Sequence, residues 1–301
     1  LMKMISLIFI LILILEICLL MTNIINYFQS SIWTIVSFIM VTIIILIPLL
    51  SFLSYSFFTV DNVEIIHEFS LYNFKEFLTG EIYIPTFFRT LLLALIVMIA
   101  CMITGYPIAY FLAMYAHRSK YFILLILIIP LFMSYIIKIY MMRSILGYSG
   151  LINKLLMMFG IISEPSEFFL YNQNAVIITL IIILLPLIII PTFTSLEKIP
   201  RNIVEATYDI GCKPFQSFRY VIFPISLPGL IVGAVFVFIL ALGDFVTPQL
   251  VGGTSGFTYG KIIYSNFGMA FNWPFGTALA SILLIVSVLI ILLTNYLTRK
   301  T

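Results

Sequence analysis

Runs of about twenty apolar residues recur along this chain, and that length is what a helix needs to cross a bilayer. They constrain the fold more than any other feature, because lipid leaves backbone groups no partner outside their own segment. Only helices and closed barrels meet that demand. The runs are continuous in Ile, Leu and Phe rather than alternating in short segments, which excludes the barrel. Of the 301 residues, 63% are hydrophobic and 9% charged. A soluble domain carries about a quarter charged residues, so the chain reads as an all-α membrane protein.

Spans are expected at 4–22, 32–58, 87–115, 121–140, 174–194, 220–242 and 276–297. Pro48, Pro107, Pro130, Pro186, Pro191, Pro224 and Pro228 fall within or beside them, where packed membrane helices tolerate proline as a kink. Residues 1–30 form a separate hydrophobic segment, with Lys3 ahead of the run and Glu16 inside it. The segment reads as an extra helix with its N-terminus outside; an interfacial segment and an artefact of start-site choice are the other readings. Residues 31–301 then form one transmembrane domain.

Loop charges orient the chain. Segments 116–120, 195–219 and the C-terminus hold Arg118, Lys120, Lys198, Arg201, Lys213, Arg219, Arg299 and Lys300 against Glu197, Glu205 and Asp209. The alternate segments are richer in acids than in Lys and Arg. The first set is expected in the cytoplasm, with the C-terminus, and the second outside. On the outer side FSLYNFKEFL at 69–78 repeats apolar residues at helical spacing, as a short helix on the membrane surface would.

Chemistry is sparse. Cys18, Cys101 and Cys212 are isolated, His67 and His117 are the only histidines, and no metal-ligand spacing, nucleophile elbow or phosphate loop appears. No cofactor and no nucleic-acid partner are expected of this chain.

The cytoplasmic segment 195–219 interrupts the apolar sequence with charges of both signs. Pro200 suits a helix start, and Ile199, Ile203, Ala206 and Ile210 follow at helical spacing, with Arg201 and Glu205 on a polar side. Gly211 suits a helix end and Pro214 the next beginning. A solvated connector is one reading. A plug offered to a soluble partner is the other, since a connector needs only a few residues.

Glu205-Ala206, then Gly211, then Ile225-x-Leu227-Pro228 resembles the EAA loop of permease subunits of ABC-type importers. Thr207 stands where that family has a second Ala. GYPIAYFLA at 105–113, IIKIYMMRSILGYSGLIN at 136–153, GDFVTPQLVGG at 243–253 and NWPFGTALA at 272–280 extend the resemblance, in order, to the spermidine/putrescine branch. It implies a type I importer permease (MetI-like) fold of six core transmembrane helices in a bacterial cytoplasmic membrane. It also implies a second permease subunit, an ATPase dimer that binds ATP and Mg, and an extracytoplasmic substrate-binding protein.

By position, Glu205, Ala206, Thr207, Asp209, Gly211, Leu227 and Pro228 carry over as the ATPase-coupling residues. Asp244, near the outer mouth, is the candidate to receive a cation, with capping of a helix end or pairing with Lys261 as the plainer role. Trp273, with Phe271 and Phe275, and Tyr140 are the other pathway candidates; an aromatic girdle is their plainer role. Lys138 and Arg143 are expected to snorkel to the headgroups. Polyamine import is the reading. The alternatives are another small solute on the same architecture (organic cation, iron complex, phosphonate) and an ATP-independent secondary transporter.

Overall fold

The computed structural model describes residues 32–61, 64–116, 119–253 and 256–298. The expected span 4–22 and the segment 1–30 lie outside the described residues. The architecture is helical, as the apolar runs dictate. The helices are α1 (Ile32–Ser54), α2 (Tyr72–Thr79), α3 (Tyr83–Met114), α4 (Lys120–Phe132), α5 (Tyr135–Leu146), α6 (Leu151–Met158), α7 (Gln173–Glu197) and α8 (Arg201–Asp209). They continue with α9 (Pro214–Gly243), α10 (Val246–Val251), α11 (Tyr259–Gly268) and α12 (Trp273–Thr298). Five of the described helices are long and apolar enough to cross a membrane, and a bent pair of helices makes six if it is one broken span rather than a re-entrant loop.

That bent pair departs from the straight span expected at 121–140. Residues Lys120–Phe132 and Tyr135–Met158 meet at 101°. The backbone leaves the helix at Met133 and Ser134, both extended in ψ, just after Pro130 has weakened the last turn. Apolar composition runs on through the corner, which is why it is invisible to hydropathy.

The chain divides into two compact units. The first comprises the described residues up to Ile84 together with Ile262–Ser287. In it, α1 leaves Ile44, Ile47 and Leu50 exposed, as a lipid-facing helix does. The chain then makes an unforeseen antiparallel hairpin, β1 (Thr59–Asp61) with β2 (Glu64–Ile66). Buried Asn73 on α2 pins this region by donating to the carbonyls of Ser56 (2.9 Å) and Phe58 (2.7 Å). A short helix does form in the stretch expected at 69–78, but only from Tyr72; of the apolar positions Phe77 is buried while Phe69, Leu71 and Leu78 face outward.

The second unit comprises Pro85–Lys261 and the chain from Val288 onward. Its core is α7 packed on α9. Gly229 and Gly233, four apart on α9, let the two backbones approach, as small residues do in membrane bundles. A methyl at Gly229 would strike the Ser195 hydroxyl and the Pro191 carbonyl; one at Gly233 would lie 2.8 Å from the Ile188 Cα. Ile188, Ile189, Val237 and Leu242 are fully buried around this seam.

α9 is not uniform. Phe218–Ile222 form a π-helical turn directly ahead of Pro224, whose missing N–H and ring disfavour an ordinary turn at that point. Aromatic rings fill the widened turn: Phe218 and Phe223 lie 5.9 and 5.5 Å from Tyr106, edge on. The Tyr106 hydroxyl shares a 2.8 Å hydrogen bond with buried Ser226.

Candidate functional site

The polar island folds as an elbow at the end of α7 opposite its Gln173 start. Glu197 closes α7 by accepting from Lys120 Nζ (2.6 Å) and the Tyr121 hydroxyl (2.5 Å), which ties the helix end to α4. Ile199 is buried, and Pro200, extended at ψ 137°, turns the chain into α8. Pro200 therefore precedes the helix rather than opening it; Arg201 is the first helical residue.

The far end of α8 is sealed by a pair of reverse hydrogen bonds. Gly211 N–H reaches the Tyr208 carbonyl and Cys212 N–H the Thr207 carbonyl, each at 2.9 Å. This closure needs a left-handed residue, and Gly211 supplies it at φ +87°. Pro214 then opens α9, with the Gln216 amide oxygen accepting the Lys213 backbone N–H at 2.8 Å.

Within α8 only Thr207 is buried, 6% exposed. Its hydroxyl lies 2.6 Å from the Val204 carbonyl and 2.7 Å from the Ser217 hydroxyl, so α8 is clasped to the foot of α9. The other side of α8 is free. Glu205, Ala206 and Asp209 are exposed, and so are the apolar side chains Ile203 at 41%, Tyr208 at 47% and Ile210 at 80%. Phe215, at the start of α9, is exposed as well. A mere connector would bury such side chains against the bundle, yet here they stay in the open while a threonine is buried.

Leu227 and Pro228 are not on the elbow surface. They lie inside α9 beyond the π turn, Leu227 half-buried and Pro228 exposed, flanking Ser226. The structure thus gathers Glu205, Ala206, Thr207, Asp209 and Gly211 at the elbow and leaves these two in the helix it hangs from.

Asp244, one residue past α9, is 5% exposed. Its Oδ1 accepts the backbone N–H of Val246 (3.1 Å) and Thr247 (3.4 Å), which starts α10. Oδ2 has no hydrogen-bond partner, and among the described residues no cation pairs with it, Lys261 included. Burial pushes its carboxyl pKa upward, opposed by the nearby Thr247 and Tyr135 hydroxyls and the two backbone donors. Tyr135, which shares a 2.9 Å hydrogen bond with Thr247, is the tyrosine beside Asp244. Tyr140, the one anticipated, is exposed on α5.

Lys138 lies over the Tyr135 ring, 5.5 Å from its centre, and Arg143 donates to the Tyr171 hydroxyl at 2.7 Å. Each cation thus has an aromatic partner within the protein. In the first unit Trp273 is half exposed and edge-on to Phe267 at 6.1 Å, Phe271 is exposed, and Phe275 is buried against Tyr83 at 5.0 Å. The three aromatics thus do not share one face.

Sequence reasoning missed Ser217, Tyr135 and Thr247. All three matter through partners ten or more residues away, and no local pattern announces such pairs.

Residues 105–301 match the family described as binding-protein-dependent transport system inner membrane component. The chain is 34% identical over 249 residues to the spermidine/putrescine transport system permease protein PotB of Escherichia coli (strain K12), covering 82% of this chain and 90% of that protein. Its fold is similar to a chain of a bacterial ABC transporter that imports the acidic polysaccharide alginate, with a TM-score of 0.73 at 18% identity, over 89% and 94% of the two chains. It is also similar to a chain of the inward-facing MetNI methionine ABC transporter, with a TM-score of 0.55 at 19% identity, over 72% and 94%. The chain therefore belongs to the inner-membrane permease components of binding-protein-dependent ABC transport systems.

Proposed function

We propose that this chain is a polyamine importer permease that takes its drive from a separate ATPase through α8. The observation that carries the reading is that Ile203, Tyr208 and Ile210 stay exposed on a short helix anchored by the Thr207–Ser217 hydrogen bond. Apolar side chains left in water together on so short an element mark a surface a partner covers. The Gly211 closure and the Glu197–Lys120 pair hold both ends, so force on α8 passes into α7, α9 and α4 rather than bending a loop.

In this reading the elbow and the C-terminus lie in the cytoplasm of a bacterial cell. ATP and Mg belong to the partner ATPase dimer. A second permease subunit completes the pathway, and an extracytoplasmic binding protein delivers spermidine or putrescine to the opposite side. The kinship to PotB supports the cargo. Asp244 keeps Oδ2 for a cationic substrate, once opening exposes it, while Oδ1 holds α10. Alternating access needs the ATPase to bind the two states with different free energy, and α8 is where that difference enters.

The test is ATP hydrolysis by the full complex in liposomes, driven by spermidine-loaded binding protein. Glu205→Ala combined with Ile210→Asp should leave the permease folded and cut stimulation at least tenfold. Undiminished stimulation in the assembled variant would reduce α8 to a connector. A response to some other loaded solute and to no polyamine would keep the importer and remove the cargo.

A further inference from the structure

At the opposite end of α7 from the elbow, about 37 Å away along a 25-residue helix, lies a small open cleft of about 10 Å³, room for a single oxygen-sized group. It is lined by Arg89 and Thr90 of α3, Gln173 at the start of α7, and Phe257 and Thr258 ahead of α11. Three features set it apart. Arg89 is exposed, and its guanidinium is oriented by the neutral Gln173 Oε1, at 2.9 Å from Nη2 and 3.3 Å from Nε. Among the described residues no carboxylate pairs with it. Thr258 is 4% exposed, and its hydroxyl has no partner. The other hydroxyl in the cleft is taken: Thr90 Oγ1 donates to the Thr86 carbonyl at 2.8 Å and accepts from the Tyr259 N–H at 2.9 Å.

A buried hydroxyl without a partner costs free energy, and so does ordering an arginine against a group that brings no charge. Both deficits are removed by one planar anion that accepts from the guanidinium fork and from Thr258. The positive end of the α7 dipole lies in the same place and favours the same charge.

We propose that this cleft binds a carboxylate, and that the carboxylate is an acidic side chain of the extracytoplasmic binding protein. The choice of partner rests on the importer reading above: α8 faces the ATPase, so the far end of α7 faces the compartment from which the solute is delivered. The cleft is small and open, which suits the tip of a side chain carried in on a docking surface. Phe257, half exposed at the rim, supplies an apolar lip for it.

The experiment is a titration of the full complex in liposomes with spermidine-loaded binding protein, reading the concentration for half-maximal ATPase stimulation. Arg89→Glu should raise that concentration about tenfold, the effect of losing one hydrogen-bonded charge pair. Gln173→Glu places a carboxylate in the cleft itself. It should raise the melting temperature and weaken docking to a similar degree, which covers the case where Arg89→Glu folds poorly. One acidic-to-Lys change on the binding protein should restore docking to Arg89→Glu. A wild type that responds while both variants titrate identically to it overturns the cleft and leaves the importer standing. A wild type that responds to no loaded binding protein overturns both. An Arg89→Glu defect that disappears when anionic lipid is replaced by neutral lipid assigns the cleft to a headgroup phosphate, which also overturns the proposal.

Discussion

Thr207 shows how one side chain sets the character of the elbow. It occupies a position where the resemblance supplies an alanine, and its hydroxyl makes the clasp to Ser217. Thr207→Val keeps the volume and removes the hydroxyl, leaving Ser217 buried with one partner fewer. The permease should lose about 1–2 kcal/mol, read as a lower melting temperature in detergent, and Thr207→Ser should recover most of it. Asp244 offers a second test with a definite sign. Burial raises its folded pKa above the ordinary 3.8, so the folded state holds the proton more tightly than the unfolded chain does. That contribution is complete below the ordinary value and is lost as pH rises through the raised one. Asp244→Asn keeps the Oδ1 cap and has no charge to bury. It should melt like the wild type near pH 3.5 and above it at pH 7.5, while the half-saturating spermidine concentration for transport rises. Equal melting at both values would show the carboxylate to be solvated.

At the scale of elements, the sequence revealed most where a helix begins or ends by backbone chemistry. Gly211 and Pro214 stand where the punctuation of the polar island placed them, because left-handed backbone and a missing N–H are properties of single residues. The corner between α4 and α5 was hidden, because Met133 and Ser134 carry no signal stronger than the apolar residues around them. The facing of α8 was hidden too: periodicity shows that Ile203, Ala206 and Ile210 share a side, but not whether that side meets protein or a partner. The seam between α7 and α9 lies between these cases. Gly229 and Gly233 are legible as small residues four apart, yet only packing shows that Pro191 and Ser195 oppose them. Gly229→Ala should push the helices apart at a cost of about 1–3 kcal/mol, seen as a lower melting temperature. A wild-type melting point would mean the seam yields.

Across the whole molecule, the candidate sites fall at the two ends of α7, with the buried seam between them. Tyr106–Ser226 and Glu197–Lys120 tie α3 and α4 into the same frame. The π turn at Phe218–Ile222 interrupts that frame just where α9 leaves the elbow. A π turn is an α-helix carrying one surplus residue, so the helix on either side keeps its facing although the count between them is one too many. The chain between the Ser217 clasp and the Ser226 bond therefore carries one residue more than a regular α-helix would place there. Deleting exposed Tyr220 together with Pro224→Ala removes the surplus. The shortened protein should fold with both bonds intact and melt no lower than its parent. Its binding-protein-stimulated ATPase should fall severalfold, because losing one residue shifts the elbow relative to the bundle and α8 no longer presents its surface in the same place.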